Sequence, residues 1–140
     1  MHKTYEAVVQ GRPDQPDADW HEIDAPILLD WDRRPIHIID AKGKPSQTQW
    51  KLLESPSLPL PSECPAGMTT SRLSLRPITG RTHQLRVHLL HMGWPILGDA
   101  LYAPDAARNA APRLLLHASE LRFPHPVTRI ELLIKSAVPF

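Results

Sequence analysis

Three arginines and two histidines crowd around one glycine in LRPITGRTHQLRVH, residues 75–88, and no acidic residue lies within ten positions on either side. The acid-free stretch runs from Cys64 to Gly98 and holds Arg72, Arg76, Arg81 and Arg86. Guanidinium groups are planar, permanently charged and able to donate in pairs, so such a cluster suits phosphate or carboxylate. Gly80 can adopt a positive φ, which makes a tight turn possible, and Thr79 or Thr82 can cap a helix that starts beyond it. Beside Arg81 this turn would present N–H groups and the positive end of a helix dipole, a ready anion site. The same composition also suits a plain capped strand-to-helix turn with solvated arginines.

His83, His88 and His91 raise the question of a metal, since His88 and His91 share one helix face. Zinc sites usually add a cysteine or carboxylate, which this region lacks, and no metal is expected. His88 reads better as a half-buried helix position and His117, in LLLHAS, as a core or site-lining residue. No G-x-S-x-G surrounds Ser71, Ser74 or Ser119, and the six glycines are scattered, which excludes a nucleophile elbow and a glycine-rich phosphate loop.

The elements that must carry these residues are short. Sixteen prolines in 140 residues favour many brief elements joined by loops. TYEAVVQ and QTQWKLL alternate as strands do, SRLSLRP forms a strand ending at Pro77, and RRPIHIID adds an edge strand. From Thr82, positions Leu85, His88, Leu89 and Met92 follow the stripe of an amphipathic helix that Gly93 and Pro95 stop. PDAARNAAP makes a short second helix, and RLLLHASELRF and RIELLIK are two further strands around a PHPVT reversal. GRPDQPDADWHEID reads as an acidic loop leading to the apolar piece PILLDW, and ESPSLPLPSECPAG as an exposed, aperiodic connection. Five or six strands, one main helix and no strand–helix alternation predict a single α+β domain over residues 1–140, with a mostly antiparallel, mixed sheet.

Sixteen basic and fifteen acidic residues exclude a bulk polycation, so affinity for nucleic acid must come from local charge placement. The stretch from Arg12 to Asp40 has the opposite sign, with Asp14, Asp17, Asp19, Glu22, Asp24, Asp30, Asp32 and Asp40 against three arginines. The single Cys64 fits a reducing compartment, no apolar run reaches the length of a membrane span, and the start MHKTYEAVVQ lacks a signal layout; a cytoplasmic protein is expected.

LRPITGRTHQLRVHLLHMGWPILGDALYA resembles a signature of the ribosomal large-subunit synthase A type of RNA pseudouridine synthases. KTYEAVVQG, LLLHASELRFPHP and SAVPF are similar to further motifs of that family, in the same order, and LLDWDRRP with GKPSQT resembles the branch that modifies both transfer RNA and 23S ribosomal RNA. The resemblance implies isomerisation of uridine to pseudouridine without cofactor or metal, on an RNA stem-loop, by an enzyme that is a monomer at full length. By that likeness Tyr5 lies against the extruded base and removes the C5 proton, and Arg81 pairs with the catalytic aspartate and helps displace the base. Arg72, Arg76, Thr82, His83 and Arg86 are expected to contact RNA, although Arg86 can also be a structural ion-pair member and Arg72 and Arg76 a solvated face.

The family's H-R-L-D motif, which carries the nucleophilic aspartate, is absent, and Asp99, in the GDALY turn, has the context of a structural residue. The chain therefore reads as the C-terminal part of a catalytic domain, inactive alone, with exposed sheet edges and a tendency to associate. The other reading is a non-catalytic RNA-binding remnant.

Overall fold

The computed structural model describes residues 2–14, 19–53 and 60–140. Strand β1 (His2–Gln10) is followed by β2 (His21–Asp24), β3 (Ile27–Leu29), a 3-10 turn at Trp31–Arg33 and β4 (His37–Ile39). Then come β5 (Gln47–Leu53), β6 (Thr70–Pro77), helix α1 (Gln84–His91), helix α2 (Asp105–Arg108), β7 (Leu116–Pro124) and β8 (Glu131–Lys135). Six strands form one sheet in the order β2-β5-β6-β1-β7-β8, while β3 and β4 make a separate hairpin. Every pairing among these strands is antiparallel, so the sheet is not mixed.

Period-two patterning places the core. Thr48, Trp50 and Leu52 are buried while Gln47, Gln49 and Lys51 are less so, as the alternation of β5 requires. Ala7, Val9, Leu73 and Leu75 share the face on which Leu85 and Leu89 of α1 pack, together with Ile96, Leu97 and Leu115 from the following segment. Helix α1 lies against β4, β5 and β6, which hangs the acid-free turn of residues 78–83 over one end of the central strands.

Two strands depart from expectation. β2 lies inside the expected acidic loop, whose residues 15–18 are outside the described set, and β3 lies within the piece PILLDW. Both are too short to show a period, and β2 forms because His21–Asp24 pair with Gln47–Trp50 of β5. The proline-rich connection lies partly outside the described residues; from residue 60 on it contains two turns closed by Cys64 N–H to the Pro61 carbonyl and Met68 N–H to that of Pro65.

Candidate active site

The turn between β6 and α1 is built differently from a threonine-capped one. Gly80 does not have a positive φ; the left-handed residue is His83, at φ 55°, and it is the N-cap of α1 without a side-chain cap bond. Gln84 supplies the polar contacts instead. Its Oε1 accepts the Arg81 N–H at 3.1 Å and the Thr79 hydroxyl at 2.6 Å, and its Nε2 donates to the Gln47 carbonyl at 2.7 Å and Thr48 Oγ1 at 3.0 Å. Thr79 Oγ1 in turn accepts the Gln47 N–H at 3.0 Å. Both ends of one buried amide thus staple the turn to β5, a role the sequence reading does not assign to Gln84.

Below it, Thr48 Oγ1 stands 2.7 Å from His88 Nδ1, and His88 Nε2 lies 2.9 Å from the Ala25 carbonyl. A carbonyl can only accept, so His88 carries its proton on Nε2 and takes the Thr48 hydroxyl at Nδ1. His88 is fully buried rather than half-buried, and burial depresses its pKa below the usual histidine value. His83 is tied in a second set: its Nδ1 is 2.6 Å from the Tyr102 hydroxyl, which accepts the His37 N–H at 3.0 Å. Burial lowers the pKa of His83 as well, and the neighbouring Arg86 guanidinium adds to the effect. A neutral ring accepting the phenolic proton satisfies both partners. Burial raises the pKa of Tyr102, which keeps that proton in place.

Tyr5 and Arg81 line one cavity of about 330 Å³, together with Lys3, Ile78, Gly80 and Leu85. Tyr5 is presented at a register shift: Thr4 pairs with Glu120 but Tyr5 with Ala118, leaving Ser119 as the extra residue of a β-bulge. The Ser119 hydroxyl closes the bulge by donating to the Thr4 carbonyl at 3.1 Å. Arg81 donates from Nε and Nη2 to the Pro45 carbonyl at 3.2 and 3.0 Å, which orients the guanidinium and leaves its remaining N–H groups for another partner. Among the described residues no carboxylate forms an ion pair with Arg81. Arg81 and Gly80 also border a second cavity of about 460 Å³, shared with Thr82, His37, Lys42 and Lys44.

The other arginines separate. Arg86, expected as an RNA contact, forms a two-bond pair with Asp99, Nε to Oδ2 at 3.1 Å and Nη2 to Oδ1 at 2.5 Å. Asp99 is buried, and its Oδ1 also accepts the Leu101 and Tyr102 N–H groups, so the pair fastens the GDALY turn to α1. Arg72 is buried too, because both faces of β6 are covered, and it pairs with Glu6 at 3.2 Å on the face opposite α1. Neither presents a guanidinium to an outside ligand. Arg76 is exposed, with its guanidinium 4.1 Å from the centre of the Trp20 ring, and Thr82 is exposed at the rim. His117, away from the cavity, bonds Ser136 at 3.0 Å. Trp20 sits in the stretch read as an acidic loop and has no period to mark it.

Residues 1–91 match the family model for RNA pseudouridylate synthase. The chain belongs to that family. Among curated members it is 43% identical over 138 residues to the dual-specificity RNA pseudouridine synthase RluA of Pasteurella multocida (strain Pm70), covering 98% of this chain and 57% of that protein. The enzyme of the same name from Escherichia coli (strain K12) is 41% identical over 139 residues, covering 99% and 58%. Of solved structures, human RNA pseudouridylate synthase domain containing 1 superposes with a TM-score of 0.75 at 31% identity, covering 99% of this chain and 55% of that one. The chain thus spans somewhat more than half the length of the family members it matches. The sheet-rich architecture with one main helix is the family's fold.

Proposed function

We propose that this chain supplies the base-binding side of a site that isomerises uridine to pseudouridine in RNA, with a transfer RNA or 23S ribosomal RNA stem-loop as substrate. The observation that carries the reading is a cavity lined by both Tyr5 and an Arg81 that has no carboxylate partner among the described residues. In that cavity Tyr5 lies against the extruded uracil, and base–aromatic stacking of about 1–3 kcal/mol offsets part of the cost of unstacking. The N1–C1′ bond breaks as a carboxylate bonds to C1′, the ring turns, C5 displaces that carboxylate from C1′, and the C5 proton leaves to a base, the role we assign to the phenolic oxygen of Tyr5, while N1 takes up a proton. Arg81, fixed by Pro45, pairs with the carboxylate that attacks the ribose; that carboxylate belongs to an upstream segment of the catalytic domain, outside these 140 residues.

The test joins this chain to an upstream segment bearing the H-R-L-D motif and follows tritium release from RNA labelled at uridine C5. Release by the joined protein, its loss in Tyr5→Phe and Arg81→Ala, and none from the 140-residue chain alone are expected. No product from a folded joined protein would sink the proposal; RNA binding without product would leave the chain as a binding module.

A further inference from the structure

A further cleft, of about 430 Å³, adjoins the Tyr5 cavity and shares Lys3, Pro77 and Ile78 with it. Its walls include Arg76 and Gln49 on one side and Arg122 and Glu131 on the other. Ile78 stands at the boundary, 57% exposed. A lone exposed isoleucine is ordinary, but this one is held in place. Its N–H donates to the Gln47 carbonyl at 3.0 Å, Pro77 fixes the backbone before it, and the Thr79 hydroxyl after it is bonded to both Gln47 and Gln84.

The charges beside it are also prearranged. The Arg76 guanidinium rests on Trp20, and the Lys51 ammonium lies 5.8 Å from the centre of the same ring. Stacking fixes the guanidinium plane while leaving its N–H edge available to oxygen acceptors. Among the described residues neither Arg76 nor Lys3 forms an ion pair, whereas Arg122 is paired with Glu120 at 3.4 Å. Lys3 reaches both cavities, so an anion there would be continuous with whatever fills the Tyr5 side.

We propose that this cleft seats the nucleotide next to the extruded uridine, its backbone phosphate between Lys3 and Arg76 and its base against Ile78. This rests on the reading of the Tyr5 cavity as the uridine site. When one base leaves a stack its neighbour loses a face of contact, and a rigid apolar side chain at that point replaces it, as apolar wedges do at kinked base steps. Ile78 is then a positioning residue that keeps the vacated stack from closing, and the two cations fix the register of the strand.

The test measures binding of this chain to an RNA stem-loop with one uridine in its loop, by fluorescence anisotropy over a series of KCl concentrations. Arg76→Ala and Lys3→Ala are each expected to lower the slope of log Kd against log salt by about one, and Arg76→Lys to retain it. Ile78→Ala weakens binding without altering the slope, and Lys135→Ala, on the exposed edge strand, changes neither. If all three cleft variants bind as the unaltered chain does while Tyr5→Ala binds more weakly, the cleft assignment falls and the uridine cavity stands. Cleft effects with an inert Tyr5→Ala would support the cleft's phosphate and base contacts while removing the uridine reading. Absence of salt-dependent binding by the unaltered chain overturns both, and inorganic phosphate that competes as well as RNA makes the cleft a free-anion site.

Discussion

Gln84 uses two donors and two acceptors inside the protein, and removing them strands four groups at once: the Arg81 N–H, the Thr79 hydroxyl, the Gln47 carbonyl and Thr48 Oγ1. Gln84→Leu, close in size but unable to bond, is expected to lower stability by about 2 kcal/mol, read from urea denaturation. The glycines offer a sharper contrast. A Cβ at Gly98 would stand 1.9 Å from the Arg113 carbonyl oxygen, and the residue has φ +77°. A Cβ at Gly80 would meet nothing within 4 Å. Gly98→Ala should therefore cost well over about 1 kcal/mol, while Gly80→Ala should leave the melting temperature almost unchanged. If the proposed uridine site is right, Gly80→Ala still weakens RNA binding, because the methyl group projects into the space the ligand needs; comparison of melting and binding for the two variants checks this.

At the level of elements, His88 joins α1 to β5 through Thr48 and to the β2–β3 link through Ala25, so its protonation bears on three pieces of structure. Its pKa lies below the ordinary 6.5, first because it is buried, and that of His83 moves the same way. The unfolded chain therefore takes up these protons more readily than the folded one. Their contribution to stability is complete above about pH 6.5 and is lost as pH falls below it. Denaturant midpoints measured from about pH 7 to pH 5 should fall, and fall less steeply in His88→Gln. Elements of this kind were legible wherever patterning was long enough. QTQWKLL is β5 residue for residue, and the change of period after Pro77 marks α1. β2 and β3, four and three residues long, escape because pairing partners rather than their own composition define them. That Tyr5 and Arg81 share a cavity was legible through motif order. For Arg86 the structural ion-pair alternative holds, with Asp99 as its partner, whereas the burial of Arg72 escaped because local counting of charge does not see Glu6, 66 positions away.

For the whole molecule, the centre of the sheet is buried on both faces and one flank is not. Leu133 and Ile134 of β8 are 47% and 53% exposed, and Val127 and Ile130 in the preceding turn are more exposed still. β8 is an edge strand, so bare backbone groups and apolar side chains coincide there. Concentration-dependent association of the 140-residue chain is expected by sedimentation velocity, and Ile134→Lys should reduce it without lowering the melting temperature. The position of β1 has another consequence. It is the spine of the sheet, with β6 on one side and β7 on the other, and its Tyr5 aligns with Leu75 and Ala118. A ribosome releases that spine before either neighbour exists, so a strand made ahead of both its partners is enclosed only after the second of them arrives. Its apolar run Ala7–Val9 must wait in solvent, or with a chaperone, until residues near 118 have left the exit tunnel.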